Sequence, residues 1–181
     1  SDAAIRMDNC ALCVIDNNTI ENQPYYGIVS NNGFSTTISN NVMDVQESGI
    51  TANDGASLII NNNIINDFQQ YGIEFQSSEN CTIQNNSIIN TSGSGNWMIG
   101  IYNDYYNQYA NISNNFIKIG DEFNPSNTNT YGYGIVAHNS IIQNDSLILY
   151  SSCDAFRGIY GSGLIIEDNY IRNFQYYDCY D

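Results

Sequence analysis

The stretch Ile59-Ile60-Asn61-Asn62-Asn63-Ile64-Ile65-Asn66 sets three consecutive asparagines inside an otherwise apolar run. Asparagine is a poor strand residue, and an apolar run gains nothing from buried amides unless they find partners. The same pattern recurs along the chain as Ile-x-Asn-Asn-x-apolar. Copies begin at Ile15 (IDNNTI), Ile38 (ISNNVM), Ile60 (INNNII), Ile83 (IQNNSI), Ile112 (ISNNFI), Ile142 (IQNDSL) and Ile166 (IEDNYI), at spacings of 23, 22, 23, 29, 30 and 24 residues. A Gly-Ile pair stands in register with them, at Gly27, Gly49, Gly72, Gly100, Gly134 and Gly158. The length variation falls in the gap before Gly-Ile, where loops are inserted. Linked signatures at a fixed period mark a repeat architecture.

Each repeat reads as three short strands. One starts at Gly-Ile, a second ends at the Ile before Asn-Asn, and a third follows the asparagines, which make a tight corner because Asn tolerates left-handed backbone and bonds its neighbours. No apolar stripe at helical spacing is sustained. Repeats of about 22 residues with three strands predict an all-β chain: a right-handed, single-stranded parallel β-helix of about seven turns, stacked ~4.8 Å apart. Three inward isoleucine columns follow, through Ile15, Ile20 and Ile28 and their equivalents. An asparagine ladder is expected at the corner: Asn17, Asn40, Asn62, Asn85, Asn114 and Asn144, closing with Asp168. In that reading Asn62→Leu costs ~1–3 kcal/mol by orphaning its neighbours.

From Ala4 to about Phe174 the chain resembles the pectin-lyase-like superfamily of right-handed parallel β-helix repeat proteins. That resemblance implies the fold. Its members range over polysaccharide lyases, hydrolases, epimerases, tailspikes and surface proteins, so activity has to be argued from the site. The "DPH" of alginate epimerases and the "GHG" of polygalacturonases are absent here, and no catalytic residue carries over.

The 181 residues are expected to form one domain spanning 1–181, long enough for a real core. Four Lys and Arg stand against nineteen Asp and Glu, a net charge of −15. That sign argues against nucleic acid and anionic lipid as partners, and no apolar run reaches the ~20 residues of a membrane span. A chain rich in Asn, Ser, Thr and Tyr, poor in Lys and without an initiator Met reads as a processed or excised piece of an extracellular or cell-surface protein. Because no end cap is recognisable, it is expected either to belong to a longer solenoid or to stack end to end on itself, with neighbouring turns or a second copy as partner.

In enzymes of the superfamily the outer face of the first strand lines the substrate cleft. Alternation puts Glu74, Tyr102, Asp104 and His138 on that face, the candidates for general acid–base chemistry. Trp97, Tyr131, Tyr133 and Tyr160 are the candidate ring-stacking residues for a polysaccharide. Arg157 and Lys118 are the only bases near these turns, too few for uronate catalysis. The leading reading is therefore a structural solenoid module of a cell-surface or filament-like assembly that contacts glycans; the alternative is a polysaccharide-active enzyme (lyase, epimerase or hydrolase) or a glycan-binding adhesin or tailspike module. No cofactor is called for. Calcium is the one ion left open, at Asp44, Glu47, Asp54, Asp121 and Glu122 in or beside turns, although no calcium-loop motif is present.

Five cysteines are an odd count. Cys13 and Cys81 are expected as buried thiols in an inward column, Cys153 and Cys179 as a disulfide between the last two loops, and Cys10 as the unpaired one, open to intermolecular cross-linking. A zinc site at Cys10-x-x-Cys13 lacks further ligands. Of six glycosylation sequons, Asn90 is expected to be the accessible acceptor, and Asn17, Asn85 and Asn144 to be hidden in the ladder.

Overall fold

Each Asn pair turns the chain through a corner, and repeating the corner once per turn superimposes like strands. The computed structural model describes residues 2–23, 25–91, 97–104, 106, 109–120, 131–151 and 156–175. Three seven-stranded parallel sheets result, with every turn contributing one strand to each. The first sheet holds Ala3–Asp8, Tyr26–Asn31, Ser48–Asn53, Tyr71–Gln76, Trp97–Asn103, Tyr131–His138 and Phe156–Ser162. The second holds Val14–Asp16, Thr37–Ser39, Ile59–Asn61, Thr82–Gln84, Ala110–Ser113, Ser140–Gln143 and Ile165–Glu167. The third holds Thr19–Gln23, Val42–Val45, Ile64–Asn66, Ser87–Asn90, Phe116–Ile119, Ser146–Ser151 and Tyr170–Gln175. No helix occurs among the described residues, and the parallel pairing with crossover connections is that of a right-handed β-helix.

The inward columns are those the repeats predict. Ile28 pairs with Ile50, Ile50 with Ile73, Ile73 with Ile101, Ile101 with Ile135 and Ile135 with Ile159. Ile38, Ile60, Ile83 and Ile112 form the second column, and Met43, Ile65, Ile88, Ile117 and Leu147 the third; all are buried in one continuous core. The recurrent glycine is a packing requirement. A Cβ on Gly100 would sit 2.5 Å from Ile117 Cγ2 and 2.6 Å from the Gly134 carbonyl oxygen, so only glycine lets the first and third sheets close.

The hydrogen-bonded ladder is displaced by one residue from the expectation. Asn17, Asn40, Asn62, Asn85, Asn114, Asn144 and Asp168 are not its rungs: each is exposed and adopts left-handed backbone, with φ between 53° and 58°. The rungs are the residues that follow, Asn18, Asn41, Asn63, Asn86, Asn115, Asp145 and Asn169. Asn63 Oδ1 accepts from the Asn41 backbone N and Nδ2, each at 3.0 Å. Asn63 Nδ2 donates in turn to Asn86 Oδ1 at 3.0 Å, to the Ile38 carbonyl at 3.0 Å and to the Asn61 carbonyl at 3.1 Å. The left-handed residue reverses the in–out alternation between the two strands. The first asparagine is thereby thrown outward and the second inward.

Two further expectations change. Cys13 is not a free buried thiol, and Cys10 is not left over: the two are joined by a disulfide across the corner between the first and second strands of turn one. Cys81 is buried and free, as read, and Cys153 and Cys179 lie outside the described residues. The sequon residue Asn90 is fully buried and donates its Nδ2 to the Phe68 carbonyl, so it is no acceptor for a glycan. Asn17, Asn80, Asn85 and Asn144 are the exposed sequon residues.

Candidate functional site

Parallel register carries outward residues of the first sheet into rows running along the solenoid. Arg6 pairs with Val29, Val29 with Thr51, Thr51 with Glu74, Glu74 with Tyr102, Tyr102 with Val136 and Val136 with Tyr160. A second row runs Asp8, Asn31, Asn53, Gln76. Its amides are linked: Asn31 Nδ2 donates to Asp8 Oδ1 at 2.7 Å, and Asn53 Nδ2 to Asn31 Oδ1 at 3.0 Å. The row preceding Gly-Ile contains Tyr26, Ser48, Tyr71, Ile99, Tyr133 and Arg157.

Over turns one to four these rows form an open groove of about 740 Å³, lined by Asp2, Arg6, Tyr26, Val29, Asn31, Thr51, Asn53, Asp54, Gln70, Tyr71, Glu74, Gln76 and Ser77. Arg6 is tied to Asp2 at 3.1 Å and Asp8 at 3.3 Å, so the groove's one cation is already neutralised. Asp8 lies below the usual carboxylate range, held there chiefly by the Asn31 hydrogen bond.

Glu74 occupies the groove wall and is only 7% exposed. Burial pushes its carboxyl upward, opposed by the 2.5 Å hydrogen bond that Gln76 Nε2 donates to its Oε1, and helped by the charge of Asp104. Tyr102, its neighbour in register, also titrates high through burial and then through Asp104 and Glu74. The Tyr71 and Tyr102 rings lie 5.2 Å apart, tilted by 35°.

The structure pairs Glu74 with Tyr102 in register, and the charge of Asp104 acts on both. His138 ends its strand on the turn that follows Asp104. Its Nδ1 is 2.9 Å from Ser162 Oγ, and its carbonyl accepts from Asn103 Nδ2 at 3.1 Å. Of the ring candidates, Tyr133 and Tyr160 meet at 5.7 Å with the Arg157 guanidinium 6.0 and 5.2 Å from their centroids. The Trp97 and Tyr131 backbones pair in register, while their side chains fall outside the described residues. Sequence reasoning missed Tyr26, Tyr71 and Gln70. The signal was present: Tyr26, Tyr71 and Tyr133 each directly precede a Gly-Ile pair, and a shared offset from the repeat puts them in one row.

The family description "Periplasmic copper-binding protein (NosD)" matches residues 1–173, nearly the whole chain. The chain belongs to that family. Among solved structures, an alginate lyase from Paenibacillus sp. str. FPU-7 is similar at 12% identity and a TM-score of 0.46, over 93% of this chain and 80% of that one. At that distance the likeness carries nothing about activity. A comparison with curated proteins returns no match.

The NosD description names copper, and the donors here can be tested against it. Copper sites are built from convergent imidazole, thiolate and thioether ligands. The sequence has one histidine and three methionines. Met43 and Met98 are sealed in the core, Cys10 and Cys13 are bonded to each other, and Cys81 is buried. No group of three His, Cys, Asp or Glu converges among the described residues. The described residues do not fit a copper centre. Nor do they bring together a cluster of carboxylates for calcium.

Proposed function

We propose that this chain is an extracytoplasmic β-solenoid module whose first-sheet groove holds a neutral carbohydrate chain. The observation that carries this reading is the groove itself: a lane across four turns with linked amides along it and tyrosines beside it. Amides and carboxylates hydrogen-bond sugar hydroxyls, and tyrosine rings offer stacking faces with a polar tip. Arg6 is already engaged, while Asp2, Asp54 and Glu74 contribute acid, so a uronate would be repelled where a neutral glycan is not. The periplasmic description of the NosD family supports a place outside the cytoplasm.

Calorimetric titration with neutral oligosaccharides (cellohexaose, xylohexaose) and with hexagalacturonate tests this. Binding of a neutral oligomer, weakened about tenfold by Tyr71→Ala through loss of ~1.4 kcal/mol of stacking, is expected. No binding by any neutral oligomer, or binding indifferent to Tyr71→Ala, overturns it.

The raised carboxyl of Glu74 beside Tyr102 favours a second reading, a glycan-cleaving enzyme with Glu74 as general acid. Reducing-sugar release from the bound oligomer that disappears in Glu74→Gln would establish it. Binding without turnover would exclude it for that oligomer.

A further inference from the structure

The buried ladder contains one acid. On turn six the rung is Asp145, 1% exposed, where the five preceding turns place asparagine. Its Oδ1 behaves as an amide oxygen, accepting from the Asn115 backbone N at 2.6 Å and from Asn115 Nδ2 at 3.0 Å. Its backbone N donates to Asn169 Oδ1 at 2.8 Å, continuing the ladder.

The difference lies at the other atom. On asparagine rungs Nδ2 donates to the carbonyl of the isoleucine in the turn before and to Oδ1 of the next rung, as Asn86 does to Ile60 and Asn115. At the sixth rung that place is filled by Asp145 Oδ2, which is buried and has no hydrogen-bond partner. Repeat register makes its neighbours the Ile112 carbonyl and Asn169 Oδ1, both acceptors. A carboxylate there sets three acceptors against one another, whereas a carboxylic acid supplies the missing donor.

We propose that Asp145 is a buried proton-binding site: protonated, its Oδ2–H takes over the role of an amide Nδ2–H and locks turns five to seven together; deprotonated, it breaks the ladder. No cation faces it. Turn five presents Ile112 to Asn115, all uncharged, and turn seven presents Glu167 and Asp168, exposed acids that oppose a further negative charge. Lys118 and Arg172 lie over the Tyr150 and Phe174 rings, 5.4 and 4.2 Å from their centroids, on the outer face of the third sheet. Consistent with this, burial pushes the Asp145 carboxyl up to about 6, against the hydrogen bonds from Asn115.

The folded-state value lies above the unfolded one, so the native chain binds the extra proton. The stability it confers is fully present below about pH 4 and is lost as pH rises to about 6, remaining lost above that. Asp145→Asn supplies a permanent donor at the rung. Unfolding equilibria of the wild-type chain and this variant, measured by denaturant titration from pH 4 to 8, should diverge. Relative to the variant, the wild-type unfolding constant should rise on the order of fifty-fold between pH 4 and 7. Infrared spectra near pH 5 should show a protonated-carboxyl stretch in the wild type that the variant lacks. Parallel pH profiles, absence of that band, or an Asp145→Asn chain that fails to fold would each overturn the proposal.

Discussion

Replacing Asn63 by leucine tests the ladder at its centre. The leucine is close in size and more apolar, so area bookkeeping alone would favour it. The hydrogen bonds decide otherwise. Asn63 is wholly buried, and its side chain makes five bonds: two accepted from Asn41, and one each donated to Asn86, Ile38 and Asn61. Asn41 Nδ2 keeps its 3.1 Å bond to the Ile15 carbonyl, but the Asn41 backbone N is left with no acceptor in a dry corner. Asn86 Oδ1 and the Ile38 carbonyl lose a donor as well. At ~1–3 kcal/mol for a buried group left unsatisfied, with partial relaxation at the carbonyls, the loss is about 4 kcal/mol. For a chain of this size that lowers the melting temperature by roughly 8–16 °C. Asn62→Leu is the matched control. That residue is exposed with φ 54°, so its replacement costs only the left-handed backbone of leucine, about 1 kcal/mol. Thermal and urea unfolding of the two variants in parallel provide the measurement. Equal destabilisation, or a larger effect at Asn62, would refute the assignment of the rungs.

Two further outcomes follow from the same corners. Leu12 holds φ 57° at 77% exposure, in a position where turns two to four place Ser35, Ser57 and Asn80 with like φ; Leu12→Asn should therefore raise stability by about 1 kcal/mol, read as a shift in denaturant midpoint at constant slope. Burial pushes the Cys81 thiol up to about 11, so at pH 8 the native protein should leave Cys81 unmodified by a maleimide, and urea should expose it, as peptide mass spectrometry would show; rapid native labelling would contradict its place in the core.

The fold was legible because the core columns are written in a single residue type at a fixed offset. Ile28, Ile50 and Ile73 needed only the period to be superimposed, and the structure pairs them directly. The groove was half legible. Alternation from Gly-Ile put Glu74 and Tyr102 in one outward row, and register makes them neighbours. It could not show that Glu74, although facing outward, is nearly covered, because that depends on the side chains of adjacent turns. His138 shows the same dependence on neighbouring turns: the strand pattern put it on the turn after Asp104, and only the structure adds Ser162 of the following turn as a partner of its ring. Cys10 and Cys13 were separated by a strand-based count that put one in the core, whereas the corner between the strands bends both toward each other.

The sequence by itself determined the period, the three strands per turn, the inward isoleucine columns and the presence of an amide corner, since all of these are local patterns repeated seven times. It could not say which asparagine of each pair is buried. Counting by twos forward from Ile60 turns Asn62 inward, and counting back from Ile65 turns Asn63 inward. Only the left-handed backbone at Asn62 resolves the conflict, because it reverses the alternation between the two strands, and that conformation is fixed by stacking turn on turn. The same stacking decides that Asp145, and not Asp168, is the acid sealed inside the ladder.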